Sequence, residues 1–157
     1  MRIGHGVDLH RFSTEAGRQL WLGLVLIDDA PGLEGHSDAD VVTHALCDAL
    51  LGGANLGDLG RHFPDDDPAT AGVSSQRLLE ATLALVRAGG YAVLSADVTI
   101  IAERPKLADH MAAMGAALSS AVGTVVSLKA TTAEGLGALG RAEGIAATAV
   151  VLLEETT

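Results

Sequence analysis

The segment GIAATAVVLLEE, residues 144–155, constrains the fold more than any other part of the chain. A strand with one face in water alternates apolar and polar residues, whereas the run AATAVVLL does not alternate, so it reads as a strand buried on both sides. A chain of 157 residues is the size of one domain. It has few other strand-like segments, so helices can cover one face of its sheet and leave the other bare. That second face is covered either by sheets of several subunits packed around an axis or by helices on both faces of a single chain.

The remaining segments follow the order β-β-α-α-β-α-β. Residues 2–12 alternate as a strand, and QLWLGLVLI (19–27) reads as a second strand, paired with the first in a hairpin through the polar turn STEAGR. DDAPGLEGHSDAD is a loop of turn formers. It leads into a helix from Asp40 to about Leu51, with Ser37 or Asp38 as N-cap, and so delivers His36 and Ser37 to a helix N-terminus. A second polar loop, GDLGRHFPDDDPATAG, precedes a helix over 74–88 that Gly89 and Gly90 stop. YAVLSADVTIIA is a strand, LADHMAAMGAALSSAVG a helix and VVSLKATT a strand. No linker, repeat or boundary divides residues 1–157, so the expectation is one α/β (α+β) domain with helices on one face of the sheet.

With 48% apolar and 19% charged residues and only four aromatics, small aliphatic side chains must fill the interior. The net charge of -10, with ten scattered Lys and Arg, argues against binding nucleic acid or an anionic membrane. An anionic small substrate would have to be held by bound cations, a few placed bases and backbone N–H groups. The single cysteine, Cys47, excludes an internal disulfide, and its apolar helical setting reads as a small hydrophobe rather than a nucleophile. No export signal or long apolar span is evident, so the expected location is cytoplasmic.

The chemistry concentrates in a few residues. In GVDLHRF, Asp8 and His10 are two apart on a strand and project side by side. His44 lies on the first helix with Asp40 one turn before it and Asp48 one turn after. Asp8, His10 and His44 together make a three-ligand set of oxygen and nitrogen donors with a fourth position open, the pattern of a catalytic zinc site. Asp48, at the wrong end of the helix for its dipole, reads as a group that orients an imidazole. For Asp40 two readings stay open, imidazole orientation or a charge favoured by the helix N-terminus. GLGALG (135–140) matches a dinucleotide fingerprint in letters but is followed by a strand rather than a helix, so it carries no such function. KATTAEGLG places two threonines and Glu134 at a strand end, suited either to phosphate oxygens and a hard divalent cation or to a capped turn. FPDDDP (63–68) reads as a solvated acidic turn.

Four segments, RIGHGVDLHRF, HSDADVVTHALCDALLGGANLGDLGRHFPDDDP, DVTIIAERPKL and KATTAEGLGALGRAEGIA, resemble in order the motifs of the 2-C-methyl-D-erythritol 2,4-cyclodiphosphate synthase family, over essentially the whole chain. The resemblance implies a homotrimer with its sheets facing the threefold axis and active sites between subunits. It also implies cyclisation of a cytidine diphosphate substrate, 4-diphosphocytidyl-2-C-methyl-D-erythritol 2-phosphate, with release of CMP. By motif position, Asp8, His10 and His44 would hold Zn²⁺, and Glu134 a second divalent cation, Mg²⁺ or Mn²⁺. His36, with Ser37 beside it, and Thr132 would stabilise the transition state. The implied substrate contacts are Asp8, Leu9 and His10, then Asp58, Leu59 and Gly60, then Phe63, Pro64, Asp65, Asp66 and Asp67. The implied cytidine pocket is Ala102, Glu103, Arg104, Pro105, Lys106, Leu107 and Ala108 with Ala130, Thr131, Thr132, Ala133 and Glu134. Arg141 matches an anion-binding arginine near the axis. Ala138 replaces an aromatic associated with an axial isoprenoid-diphosphate cavity, so the resemblance carries no such site to this chain. A zinc hydrolase and a noncatalytic trimeric metal-binding module are the competing functions.

Overall fold

A computed structural model describes residues 1–28, 30–64 and 72–156. Strand β1 (Arg2–Arg11) is followed by the short strands β2 (Leu20–Leu22) and β3 (Val25–Ile27) and helices α1 (Val41–Gly53), α2 (Leu59–His62) and α3 (Ser75–Ala88). Then come β4 (Tyr91–Ile101), α4 (Met111–Val122), β5 (Val126–Thr131), the one-turn α5 (Gly137–Gly140) and β6 (Gly144–Glu155). The main sheet is mixed and four-stranded, in the order β1-β6-β4-β5; β6 runs antiparallel to both neighbours and β4 and β5 are parallel. The closing strand, most apolar in sequence, is therefore an inner one.

The expected hairpin between residues 2–12 and 19–27 does not form. The second segment turns back on itself at Gly23 and Leu24, both at positive φ, and pairs internally as a two-stranded sheet, β2 with β3. Two residues with positive φ are what a tight two-residue hairpin requires. Leu20, Leu22 and Ile27 from this hairpin are buried in the core.

Helix α1 lies across β1 and β6, with α3 against α1 and α4 against β5. Its contact with β1 is unusually close because the strand face below it carries Gly4 and Gly6. A Cβ at Gly4 would sit 1.8 Å from the Ala49 carbonyl oxygen, and one at Gly6 would sit 2.1 Å from that of Ala45. Only glycine lets the two backbones approach this far. Asp8 and His10 continue the same strand face, so the glycines bring α1 down onto the residues that carry the chemistry.

The opposite face of β1 presents Ile3, Val7 and Leu9, which are 75%, 53% and 66% exposed. On β6, Ala147, Ala149, Val151 and Leu153 are buried beneath the helices, while Val150 on the other face is open. Two-sided burial of the closing strand is thus only half met within one chain.

Helix α1 begins at Val41 and is capped by Asp40 rather than by Ser37 or Asp38. The Asp40 side chain accepts the N–H groups of Val42 and Thr43, which is the N-cap geometry. GLGALG spans the turn into α5 and then leads into β6, so no helix opens in the way a dinucleotide site needs. Ala142, just before β6, has φ of 56°, a left-handed conformation that costs an L-residue about 1 kcal/mol. Ala142→Gly is therefore expected to stabilise the fold by up to about 1 kcal/mol, offset in part by the added unfolded-state freedom, measured as a shift in urea midpoint. Among the described residues, no helix is long and apolar enough to cross a membrane.

Candidate metal centre

Asp8, His10 and His44 converge. The Asp8 Oδ2 atom lies 3.0 Å from His10 Nε2 and 3.1 Å from His44 Nδ1. One donor atom from each residue lies within 4.8 Å of the others. The rings meet edge to face with centroids 5.6 Å apart. Burial raises the pKa of the Asp8 carboxyl, but the hydrogen bonds and charges of the two imidazoles outweigh it and hold the group well below the ordinary carboxylate range. Its other oxygen, Oδ1, accepts the Leu9 N–H.

Each imidazole is anchored on its far side. His10 Nδ1 is 2.6 Å from the Glu34 carbonyl oxygen, and His44 Nε2 is 3.0 Å from the Ser75 hydroxyl. The nitrogens left toward Asp8 are His10 Nε2 and His44 Nδ1. A carboxylate and two imidazoles presenting these atoms to one point fit a zinc-like divalent ion with an open position.

Beside the three residues lies a cavity of about 250 Å³, lined also by His36, Ser37, Asp48, Leu59, Gly60 and Phe63. The structure thus places His36, Ser37, Leu59, Gly60 and Phe63 with Asp8, His10 and His44. Asp58 does not line the cavity; it is the N-cap of α2, a one-turn helix within the polar loop, and accepts the Arg61 N–H. Asp65, Asp66 and Asp67 lie outside the described residues. The Leu9 side chain, on the bare sheet face, points away. A larger cavity of about 390 Å³ borders Arg18, Trp21 and Asp38 but contains none of the three ligands. The chemistry, rather than size, marks the smaller one.

The open choice for Asp40 falls to the helix N-terminus, and the reading of Asp48 changes. The Asp40 carboxylate is consumed by the N–H groups of Gly23, Leu24, Val42 and Thr43 and by the Thr43 hydroxyl. It ties the hairpin to the helix start and does not orient an imidazole. Asp48 accepts the Leu59 N–H at 2.7 Å, so it fixes the start of α2 rather than bonding to the His44 ring. Burial pushes its carboxyl pKa up, and the Asp8 charge adds to the shift. The partners of the imidazoles are instead Glu34, through its carbonyl, and Ser75, which hydrogen-bonds Asp38. Sequence reading took Asp38 as a possible cap and assigned Ser75 no role, because the two are joined only by the fold. Cys47 is buried in α1 and burial pushes its thiol up to about 12, consistent with a packing role.

Thr132 and Glu134 stand elsewhere. The Thr132 hydroxyl bonds Glu134 at 2.7 Å, and Glu103 accepts the N–H groups of Ala133 and Gly135, shaping the loop after β5. Ala102, whose N–H bonds the Thr131 carbonyl, brings the 102–108 segment alongside. In this segment Leu107 is buried and the Arg104 guanidinium lies 5.3 Å over the Phe12 ring. Pairing aligns Leu9, Ala146, Ile101 and Thr131 in one row across the sheet. At roughly 4.8 Å per strand, this loop is about 14 Å from the metal centre within one chain. Arg141 pairs with Glu143 at 2.7 Å, and Ala138 is exposed on α5.

Fold and site together define an α+β protein with a cluster of three residues able to hold a metal ion at one sheet edge, beside a cavity. The YgbB family model matches residues 1–154, and the chain belongs to that family. It is 55% identical to the 2-C-methyl-D-erythritol 2,4-cyclodiphosphate synthase of Trichlorobacter lovleyi over 73% of this chain and 71% of that one. It is 53% identical to the synthase of the same name from Syntrophobacter fumaroxidans over 73% and 70%. Among solved structures, a 2C-methyl-D-erythritol-2,4-cyclodiphosphate synthase superposes with a TM-score of 0.88 at 41% identity, covering 98% of this chain and 100% of that one. A form bound to CDP superposes with the same TM-score at 40% identity, covering the same shares of the two chains. The bifunctional IspDF of Campylobacter jejuni gives a TM-score of 0.92 at 38% identity over 98% of this chain, which spans 42% of that longer protein.

Proposed function

We propose that the chain, as one cyclodiphosphate-synthase-like domain over residues 1–157, converts 4-diphosphocytidyl-2-C-methyl-D-erythritol 2-phosphate to 2-C-methyl-D-erythritol 2,4-cyclodiphosphate and CMP, a step of non-mevalonate isoprenoid synthesis. The observation that carries the reading is the meeting of Asp8, His10 and His44 beside a cavity lined by His36 and Ser37. Family membership and the relatives' names support it.

An oxygen of the 2-phosphate attacks the β-phosphorus of the diphosphate. The bond from that phosphorus to the CMP oxygen breaks, and CMP leaves with the bonding pair. Phosphoryl transfer of this kind asks the protein for alignment and charge stabilisation rather than a nucleophile. Zn²⁺ held by Asp8, His10 and His44, and Mg²⁺ or Mn²⁺ held with Glu134, would supply Lewis-acid polarisation and neutralise phosphate charge. His36 and Thr132 hydrogen-bond the phosphate oxygens as charge moves. Asp58 to Gly60 and Phe63 to Asp67 hold the erythritol. Ala102 to Ala108 and Ala130 to Glu134 hold the cytidine.

A homotrimer around a threefold axis brings the cytidine half of one subunit to the metal half of its neighbour. Two observations support this arrangement: the bare aliphatic face of Ile3, Val7, Leu9 and Val150, and the wide separation of the halves in one chain. A cytoplasmic location accords with the single buried thiol. Incubation with the cytidyl substrate, Zn²⁺ and Mg²⁺, followed by mass spectrometry, tests the function. CMP and the cyclic diphosphate are expected, and absence of CMP overturns the proposal.

A further inference from the structure

Behind His44, on the side away from Asp8, Ser75 opens α3 and is fully buried. Its hydroxyl oxygen is close to Asp38 Oδ1 and 3.0 Å from His44 Nε2. Asp38 is itself fixed, its Oδ2 accepting the Ser75 N–H at 2.7 Å and its Oδ1 the Asp40 N–H at 3.3 Å.

A hydroxyl has one proton to give, and an ionised carboxylate can only accept. The Ser75 proton therefore goes to Asp38, which leaves the Ser75 oxygen as an acceptor. His44 Nε2 must then carry a proton. With an ion in place, Nδ1, which faces Asp8, would give the ion its lone pair, and the carboxylate behind the hydroxyl makes the imidazole a stronger donor. A ring with no proton on Nε2 would require Ser75 to turn its proton from the half-buried Asp38 carboxylate to the ring, leaving that carboxylate only its two backbone N–H partners. Ser37 Oγ, 3.3 Å from Nε2 and already accepting the Ala39 N–H at 3.1 Å, is a more distant second acceptor.

We infer that Asp38 and Ser75 are positioning residues for the metal centre, holding the His44 ring at Nε2 through an Asp38–Ser75–His44 hydrogen-bond chain. The inference rests on the reading that Asp8, His10 and His44 hold the ion. It does not depend on which reaction the ion serves. The sequence offers no hint of the chain, because Asp38 and Ser75 are 37 positions apart and meet only where α3 packs beside α1.

The test uses full-length protein labelled with 15N-histidine. In zinc-loaded wild type, imidazole nitrogen shifts should report a metal-bound Nδ1 and a hydrogen-bonded Nε2–H at His44. Ser75→Ala combined with Ser37→Ala should move the Nε2–H shift to that of an unbonded N–H and weaken zinc, in chelator competition, by about 10–100-fold. Ser75→Thr, which keeps the hydroxyl, should restore both in the Ser37→Ala background. A merely structural Ser75 would alter thermal stability without moving the Nε2–H shift. A wild type with zinc on Nε2, or a double variant with unchanged Nε2–H shift and zinc affinity, overturns the inference. If the double variant fails to fold, the wild-type spectrum and the single Ser75→Ala protein decide by the same two readings. Because neither reading uses the cyclisation assay, failure of the proposed reaction leaves this result standing.

Discussion

Replacing His44 with alanine is expected to remove turnover and zinc together. The residue supplies one of three donors, and without it Asp8 and His10 remain as a pair that chelates weakly. Electrophilic help from an ion at a phosphate is worth several kcal/mol, so a fall in turnover of about 10³-fold or more is expected. The fold should survive. His44 is buried, but its loss costs only about 1–3 kcal/mol by stranding the Ser75 hydroxyl and the Asp8 carboxylate. Elemental analysis, circular dichroism and CMP release on one preparation check the outcome. A folded variant with full zinc and full activity would refute the ligand assignment.

The second large effect comes from a residue that touches no substrate. In Gly6→Val, the new Cβ would fall 2.1 Å from the Ala45 carbonyl oxygen, 2.6 Å from the Ala49 nitrogen and 2.9 Å from the Asp48 Cβ. Two of these neighbours are backbone and cannot swing aside, so α1 must lift from β1 by roughly 1 Å to restore ordinary contact. The expected destabilisation is about 3 kcal/mol or more, at the upper end for overpacking. Any chain that still folds should lose roughly 10²-fold in turnover from the displaced geometry and bind zinc less tightly. Urea titration and zinc competition measure the two parts. A variant as stable as wild type, with undiminished zinc affinity, would show that the close approach of α1 to β1 is not needed.

What could be read from the residues alone was whatever short-range periodicity encodes. The two-residue repeat placed Asp8 and His10 on one strand face, and the turn spacing placed His44 on a helix beside two carboxylates. Both rules hold because side-chain direction follows backbone geometry locally. The misreadings share the opposite character. QLWLGLVLI has a strand's composition, but Gly23 and Leu24 fold it back on itself, a choice of partner that composition does not express. In HSDAD, Ser37, Asp38 and Asp40 are all good caps, and only the hairpin's N–H groups at Gly23 and Leu24 decide for Asp40. Asp38 is thereby released to serve Ser75 across 37 residues. Gly4 and Gly6 stood in plain view, yet their purpose is visible only with α1 lying on them.

The sheet keeps Asp8 and His10 on its β1 edge and the Thr132–Glu134 loop at the end of its opposite edge strand, β5. On the proposed assembly, a solitary subunit, correctly folded and charged with zinc, owns only one half of each of two reaction chambers. Competence is then a collective property, fixed by how many chains share a volume as much as by the chemistry written into any one of them.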